Sequence, residues 1–144
     1  DRVVELDSVT DEQLRWLYSN CSVLLFPSLY EGFGLPVVEA MACGAPVVSW
    51  DRASLPEVVG DAGILVDPFD FEGMARGIRM LLESAEERQR YQDRGHDRAA
   101  EFTWKRAAEA VAEQLVSVAG RATGTIESQA AAPLAAFATG SRGR

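Results

Sequence analysis

VLLFPSLYEGFGLPVVEAMACGAPVVSW, residues 23–50, decides the fold. Val23-Leu24-Leu25-Phe26 is a continuous apolar run, the pattern of a strand covered on both faces. Pro36 to Cys43 reads as a short helix, with Pro at a first-turn position and Gly44 as its stop. Pro46-Val47-Val48-Ser49-Trp50 is the next strand. Strand, helix and strand in so short a span make a βαβ unit, which requires a parallel sheet.

The same alternation extends outward. Downstream, Ile64-Leu65-Val66 is a further strand, and Asp70 caps a helix with Phe71, Met74, Ala75, Ile78, Leu81 and Leu82 on one face. Ser84-Ala85-Glu86-Glu87 reads as a capping box opening a charged, solvated helix toward Phe102. Thr103 caps a last helix carrying Trp104, Ala107, Ala108, Val111 and Leu115. Upstream, Thr10-Asp11-Glu12-Gln13 is another capping box, followed by a stripe of Leu14, Leu17 and Tyr18. Val3-Val4-Glu5-Leu6 is a fourth strand candidate. The class is therefore α/β, a Rossmann-like parallel sheet with helices on both faces. Doubly wound nucleotide-binding domains have about six strands, so this reads as the later part of one, its first strands missing.

Composition bounds the function. The 144 residues carry 14 basic and 22 acidic side chains, a net charge of -8, which argues against general nucleic-acid binding. No apolar run approaches the roughly 18 residues that span a bilayer. Cys21 and Cys43 make neither metal-ligand spacing nor a disulfide framework, so a cytoplasmic location is the default. Asp1-Arg2-Val3-Val4 lacks an initiator Met and a signal-peptide core, and reads as a chain cut out of something longer. Residues 1–119 hold 11 basic and 21 acidic groups; residues 120–144, rich in Ala, Gly, Ser and Thr, read as a low-complexity, disordered tail.

The chemistry sits between the first two strands of the quoted stretch, in the crevice past the carboxyl end of a strand, where open α/β sheets bind ligands. Gly32 and Gly34 permit a tight turn and a close backbone approach. The helix that follows turns free amides and about half a unit of positive charge toward the crevice. This is an anion site built without Lys or Arg. Glu31 and Glu39 flank it, and an ionised carboxylate accepts hydrogen bonds from paired hydroxyls. Amides for phosphate and carboxylates for a diol together describe a sugar nucleotide. Each feature alone has an ordinary structural explanation, Glu39 as a complement to the helix dipole among them.

Glu31-Gly-Phe-Gly-Leu-Pro-x-x-Glu39-Ala-Met-Ala-Cys-Gly-x-Pro-Val-Val resembles the signature of GT-B-fold retaining glycosyltransferases of the family 4 type (glycosyl transferases group 1), whose hallmark is two Glu separated by seven residues. The resemblance extends over about residues 3–115, through Phe26-Pro27-Ser28, Leu55-Pro56-Glu57-Val58-Val59, Asp61 to Pro68 and Phe102-Thr103-Trp104. It implies a C-terminal donor-binding domain. Glu31 would contact the donor hexose near the reacting carbon and is the catalytic candidate. Amides of Gly32, Phe33, Gly34 and Leu35 would hold sugar and diphosphate, and Glu39 would take the ribose hydroxyls. GDP-mannose and UDP-glucose both fit as donor, with no metal and no cofactor expected, since no Asp-x-Asp pair occurs. The family's diphosphate-gripping basic residues, and the N-terminal acceptor-binding domain, would lie upstream of this chain, together with any peripheral membrane contact. None of Arg2, Arg15 and Arg52 sits at the expected spot.

Other residues read more plainly. His96 is a surface residue, Cys43 a small buried hydrophobe, and Ser28 no nucleophile, having no elbow motif and no histidine partner. Glu57 either caps with Ser54 or faces the crevice. Two other functions compete with transfer: a GT-B-type epimerase or phosphorylase, and a non-catalytic binding or interaction module.

Overall fold

A computed structural model describes residues 3–130. Its elements in order are α1 (Asp11–Asn20), β1 (Leu24–Phe26), α2 (Leu35–Ala42), β2 (Val47–Trp50), α3 (Leu55–Val59), β3 (Ile64–Val66), α4 (Phe71–Glu83), α5 (Ala85–Ala100) and α6 (Trp104–Ala130). The three strands form one parallel sheet in the order β1-β2-β3, with Leu24 opposite Val47 and Val48 opposite Ile64. The α/β Rossmann-like class is as expected.

Central β2 shows why. All four of its residues are buried, and its alternate side chains feed two cores. Val47 joins Val37, Met41, Leu55, Val58 and Val59, so α2 and α3 cover one face. Val48 and Trp50 join Val66, Met74 and Leu81, so α4 covers the other. Helix α5 reaches both, with Ala99 in the first core and Tyr91 packed against the second. The strand count is three among the described residues, not four. Val3-Val4-Glu5-Leu6 is outside any strand, because no neighbouring strand supplies a ladder for it, and Val3, Val4 and Leu6 stay exposed.

The expected caps form. Thr10 and Gln13 make a reciprocal capping box. Asp70 accepts from the Gly73 N–H at 2.8 Å, and Thr103 from Arg106 at 3.2 Å. The second box is only half made. Ser84 Oγ accepts from the Glu87 N–H, but the Ser84 N–H is already donated to Met80 O as the end of α4, so Glu87 pairs with Arg90 instead. On α4 the buried stripe is Gly73, Met74, Gly77 and Leu81, while Phe71, Ala75 and Leu82 face solvent. The stripe is narrower than the periodicity suggests, because α4 rests on one strand pair through two glycines. Gly77, for instance, lies against Ile64 and Val48.

The chain divides into two compact units, the first ending at Phe102 and the second beginning at Thr103. In the second, α6 continues past Gly120, where the sequence puts the start of the tail, to Ala130. Residues 131–144 of that tail lie outside the described residues.

Candidate functional site

β1 ends at Phe26 and its carboxyl end is fixed by a neighbour. The buried Ser49 Oγ donates to Phe26 O at 2.9 Å, tying β1 to β2 where the loop departs. The loop runs from Pro27 to Gly34, which is the N-cap of α2 at φ 102°, ψ 41°. This left-handed conformation is open to glycine and strained for a side chain. It aims the chain so that Gly34 O accepts from Val37 at 3.0 Å and Val38 at 3.4 Å, closing the first turn of α2. Pro36, within that turn, has no N–H to place. Among the described residues, the N–H groups of Gly32, Phe33, Gly34 and Leu35 donate to no other protein group. Four consecutive amides therefore have no protein acceptor. Gly32, unlike Gly34, is exposed, has no positive φ, and has nothing within 4 Å of where a Cβ would stand.

Glu31 is half-buried, and its Oε1 accepts from Ser28 Oγ at 2.8 Å. Glu39 is exposed on the second turn of α2 and faces α1. There it shares a cleft of about 410 Å³ with Arg15, Tyr18 and Cys43. Burial raises the Tyr18 hydroxyl above the usual tyrosine range, and the nearby Glu39 carboxylate adds to the rise. Burial likewise pushes up the Cys21 thiol, whose Sγ lies 3.4 Å from Tyr18 O, so it is a poor thiolate. The two carboxylates thus belong to one loop-and-helix segment but do not share that cleft. Cys43 is half-buried rather than buried, because it is the C-cap of α2 and opens onto the same cleft. His96 is exposed, as expected, beside Gly44.

Two serines fix the loop in ways that local sequence patterns do not reveal. Ser54 makes no cap of its own; its Oγ lies 3.0 Å from Glu31 O and 2.9 Å from Phe33 O. Glu57 accordingly has no capping partner in Ser54, and its own carbonyl accepts from Arg98 Nη2. Ser28 Oγ donates to the Glu31 carboxylate and so orients it.

Residues 1–98 match the family described as Glycosyl transferases group 1. The chain belongs to this family. It is 45% identical over 100 residues to the O-antigen chain mannosyltransferase B of Escherichia coli, covering 69% of this chain and 26% of that protein. It is 43% identical over 122 residues to the MMP alpha-(1->4)-mannosyltransferase of Mycolicibacterium hassiacum, covering 82% and 29%. It is 39% identical over 123 residues to the D-inositol 3-phosphate glycosyltransferase of Corynebacterium diphtheriae, covering 84% and 28%. The chain thus spans less than a third of the length of these curated relatives. No helix among the described residues is long and apolar enough to cross a membrane.

In this member of the Glycosyl transferases group 1 family, Ser54→Ala is expected to loosen the Glu31–Phe33 turn while sparing the core. One net hydrogen bond, about 1 kcal/mol, is lost. The thermal midpoint should fall by no more than about 8 °C, and amide hydrogen exchange should accelerate in residues 31–35 more than in β2. Uniform acceleration across the unit would contradict a local role.

Proposed function

We propose that this chain carries the donor side of a hexosyltransferase of the retaining, family 4 type, which transfers a hexose from a nucleotide diphosphate sugar to an acceptor. The observation that carries the reading is the left-handed Gly34 cap, which leaves four consecutive amides unpartnered between two carboxylates. Charge that develops on a departing diphosphate would meet N–H dipoles already oriented toward it, so no reorganisation is needed during the reaction. Glu31, held by Ser28, would engage hydroxyls of the hexose near the reacting carbon. Glu39 would accept from both ribose hydroxyls, with Arg15 across the same cleft as a nearby cation. The names of the relatives favour mannose, and GDP-mannose is the first donor to test, with UDP-glucose second. Neither metal nor cofactor enters this chemistry. An acceptor-binding domain elsewhere in the longer protein would complete the site, and these 144 residues alone would not turn over.

In the longer protein, Glu39→Ala is expected to raise the donor KM at least about 100-fold, since two charge-assisted hydrogen bonds of about 1.5–3 kcal/mol each are lost. The exposed position of Glu39 predicts an unchanged thermal midpoint. Initial rates against GDP-mannose and UDP-glucose, with and without EDTA, supply the test, and the anomeric proton of the product reports retention. An unaltered KM would remove Glu39 from the site, and loss of activity in EDTA would remove the metal-free mechanism.

A further inference from the structure

The loop is braced a second time, from a distance in sequence. The Phe33 ring, 43% exposed, meets the Phe102 ring edge to face, with centroids 5.5 Å apart and planes at 87°. Phe102 also lies under the Arg98 guanidinium, whose Cζ is 4.8 Å from the ring centroid. That guanidinium is held in place. Its Nε donates to Val58 O at 3.0 Å, its Nη2 to Glu57 O, and its Nη1 pairs with Glu101. Glu57 and Val58 lie in the last turn of α3, where carbonyls lack helical partners. Helix α3 therefore fixes the loop from both ends: Ser54 before its first turn grips Glu31 O and Phe33 O, and its last turn grips Arg98, which carries Phe102. Phe102 is also the last residue of the first compact unit.

We infer that Phe102 is a positioning residue for the amide loop, acting through the Phe33 ring to hold the Gly32–Leu35 N–H groups in one orientation. The inference deepens the donor reading of that loop and rests on it for its consequence, though not for the brace itself. An aromatic pair of this geometry restricts the Phe33 backbone, and amides fixed in advance bind an anion without a further ordering cost. Arg98 keeps the Phe102 ring from turning away.

The experiment uses the 144-residue chain labelled with ¹⁵N. Backbone relaxation is measured for Gly32–Leu35 in the wild type, Phe102→Ala, Phe102→Tyr, Phe33→Ala and the double alanine variant, and GDP and UDP are then titrated into each. The order parameters of these amides should fall from about 0.85 to below about 0.6 in Phe102→Ala. They should fall as far in Phe33→Ala and no further in the double variant, and Phe102→Tyr should retain the wild-type values. The Kd for GDP should rise about five- to tenfold in both single alanine variants. A merely structural role for Phe102 would lower the thermal midpoint without this shared, non-additive loss at the loop. If Phe102→Ala does not fold, Phe33→Ala against Phe102→Tyr carries the same comparison. Unchanged loop order, or additive losses in the double variant, would overturn the inference. Absence of GDP and UDP binding in the longer wild-type protein, with loop order in the 144-residue chain still dependent on Phe102, would instead overturn the donor reading and leave the brace standing.

Discussion

Gly34→Val is expected to abolish measurable donor binding, a loss of at least about 100-fold, while the sheet survives. Two costs coincide at this position. At φ 102° a β-branched side chain is a steric outlier, worth about 1–3 kcal/mol of strain. A Cβ there would also stand 3.1 Å from Leu55 Cδ2, and Leu55 is fully buried. The valine methyls would add to that crowding. The variant is expected to relieve both by returning residue 34 to negative φ, which would swing the adjoining peptide groups away from their wild-type orientation. Ser54 opposes the swing by holding Phe33 O, so the variant should also lose a few degrees of thermal midpoint. Gly32→Ala is the matched control. It adds a methyl in open space at an ordinary φ, and should bind donor within about twofold of wild type. Calorimetry with GDP-mannose and thermal denaturation by circular dichroism separate the two effects. Donor affinity retained in Gly34→Val would mean that the amides are not the anion site.

Met41→Ala should cost more stability than any surface change. Met41 is fully buried on the inner face of α2, in one core with Val37, Val47, Leu55 and Val58. Its Cγ also lies 3.4 Å from where a Cβ would stand on Gly95, so α5 closes over it with little slack. Truncating such a side chain removes its transfer free energy and leaves a cavity, about 2–5 kcal/mol together. For a unit of about 100 residues this is a fall in thermal midpoint of about 10 °C or more. Leu25→Ala, at a side chain 44% exposed, should fall within about 0.5 kcal/mol of wild type. A drop below about 3 °C for Met41→Ala would show that α2 and α5 do not share a tight core.

Much of this fold is local and was legible for that reason. The Val23–Phe26 and Val47–Trp50 runs, the Asp70 and Thr103 caps and the glycine before α2 each depend on residues within a turn or two. The loop and helix that carry the candidate residues Glu31 to Glu39 are likewise one continuous segment, so their geometry was legible to the same extent. What the sequence hid are bonds between distant positions. Ser54 reaches back 21 and 23 residues to the loop carbonyls, and Phe102 meets Phe33 across most of the unit. No periodicity encodes either contact. Val3–Leu6 failed for a related reason. A β-branched run is a strand only where a partner offers hydrogen bonds, and that lies outside the run itself.

Ser84 serves two helices at once, its N–H closing α4 and its hydroxyl opening α5. With Ser84 alone between them, neither helix can fray at that joint without taking a hydrogen bond from the other. The pair should therefore open as a single foldon, with slowly exchanging amides near Met80 and Glu87 sharing one opening free energy. The same joint is a poor place to insert a loop or to begin a circularly permuted chain, because any added residue separates the two bonds that one serine now makes.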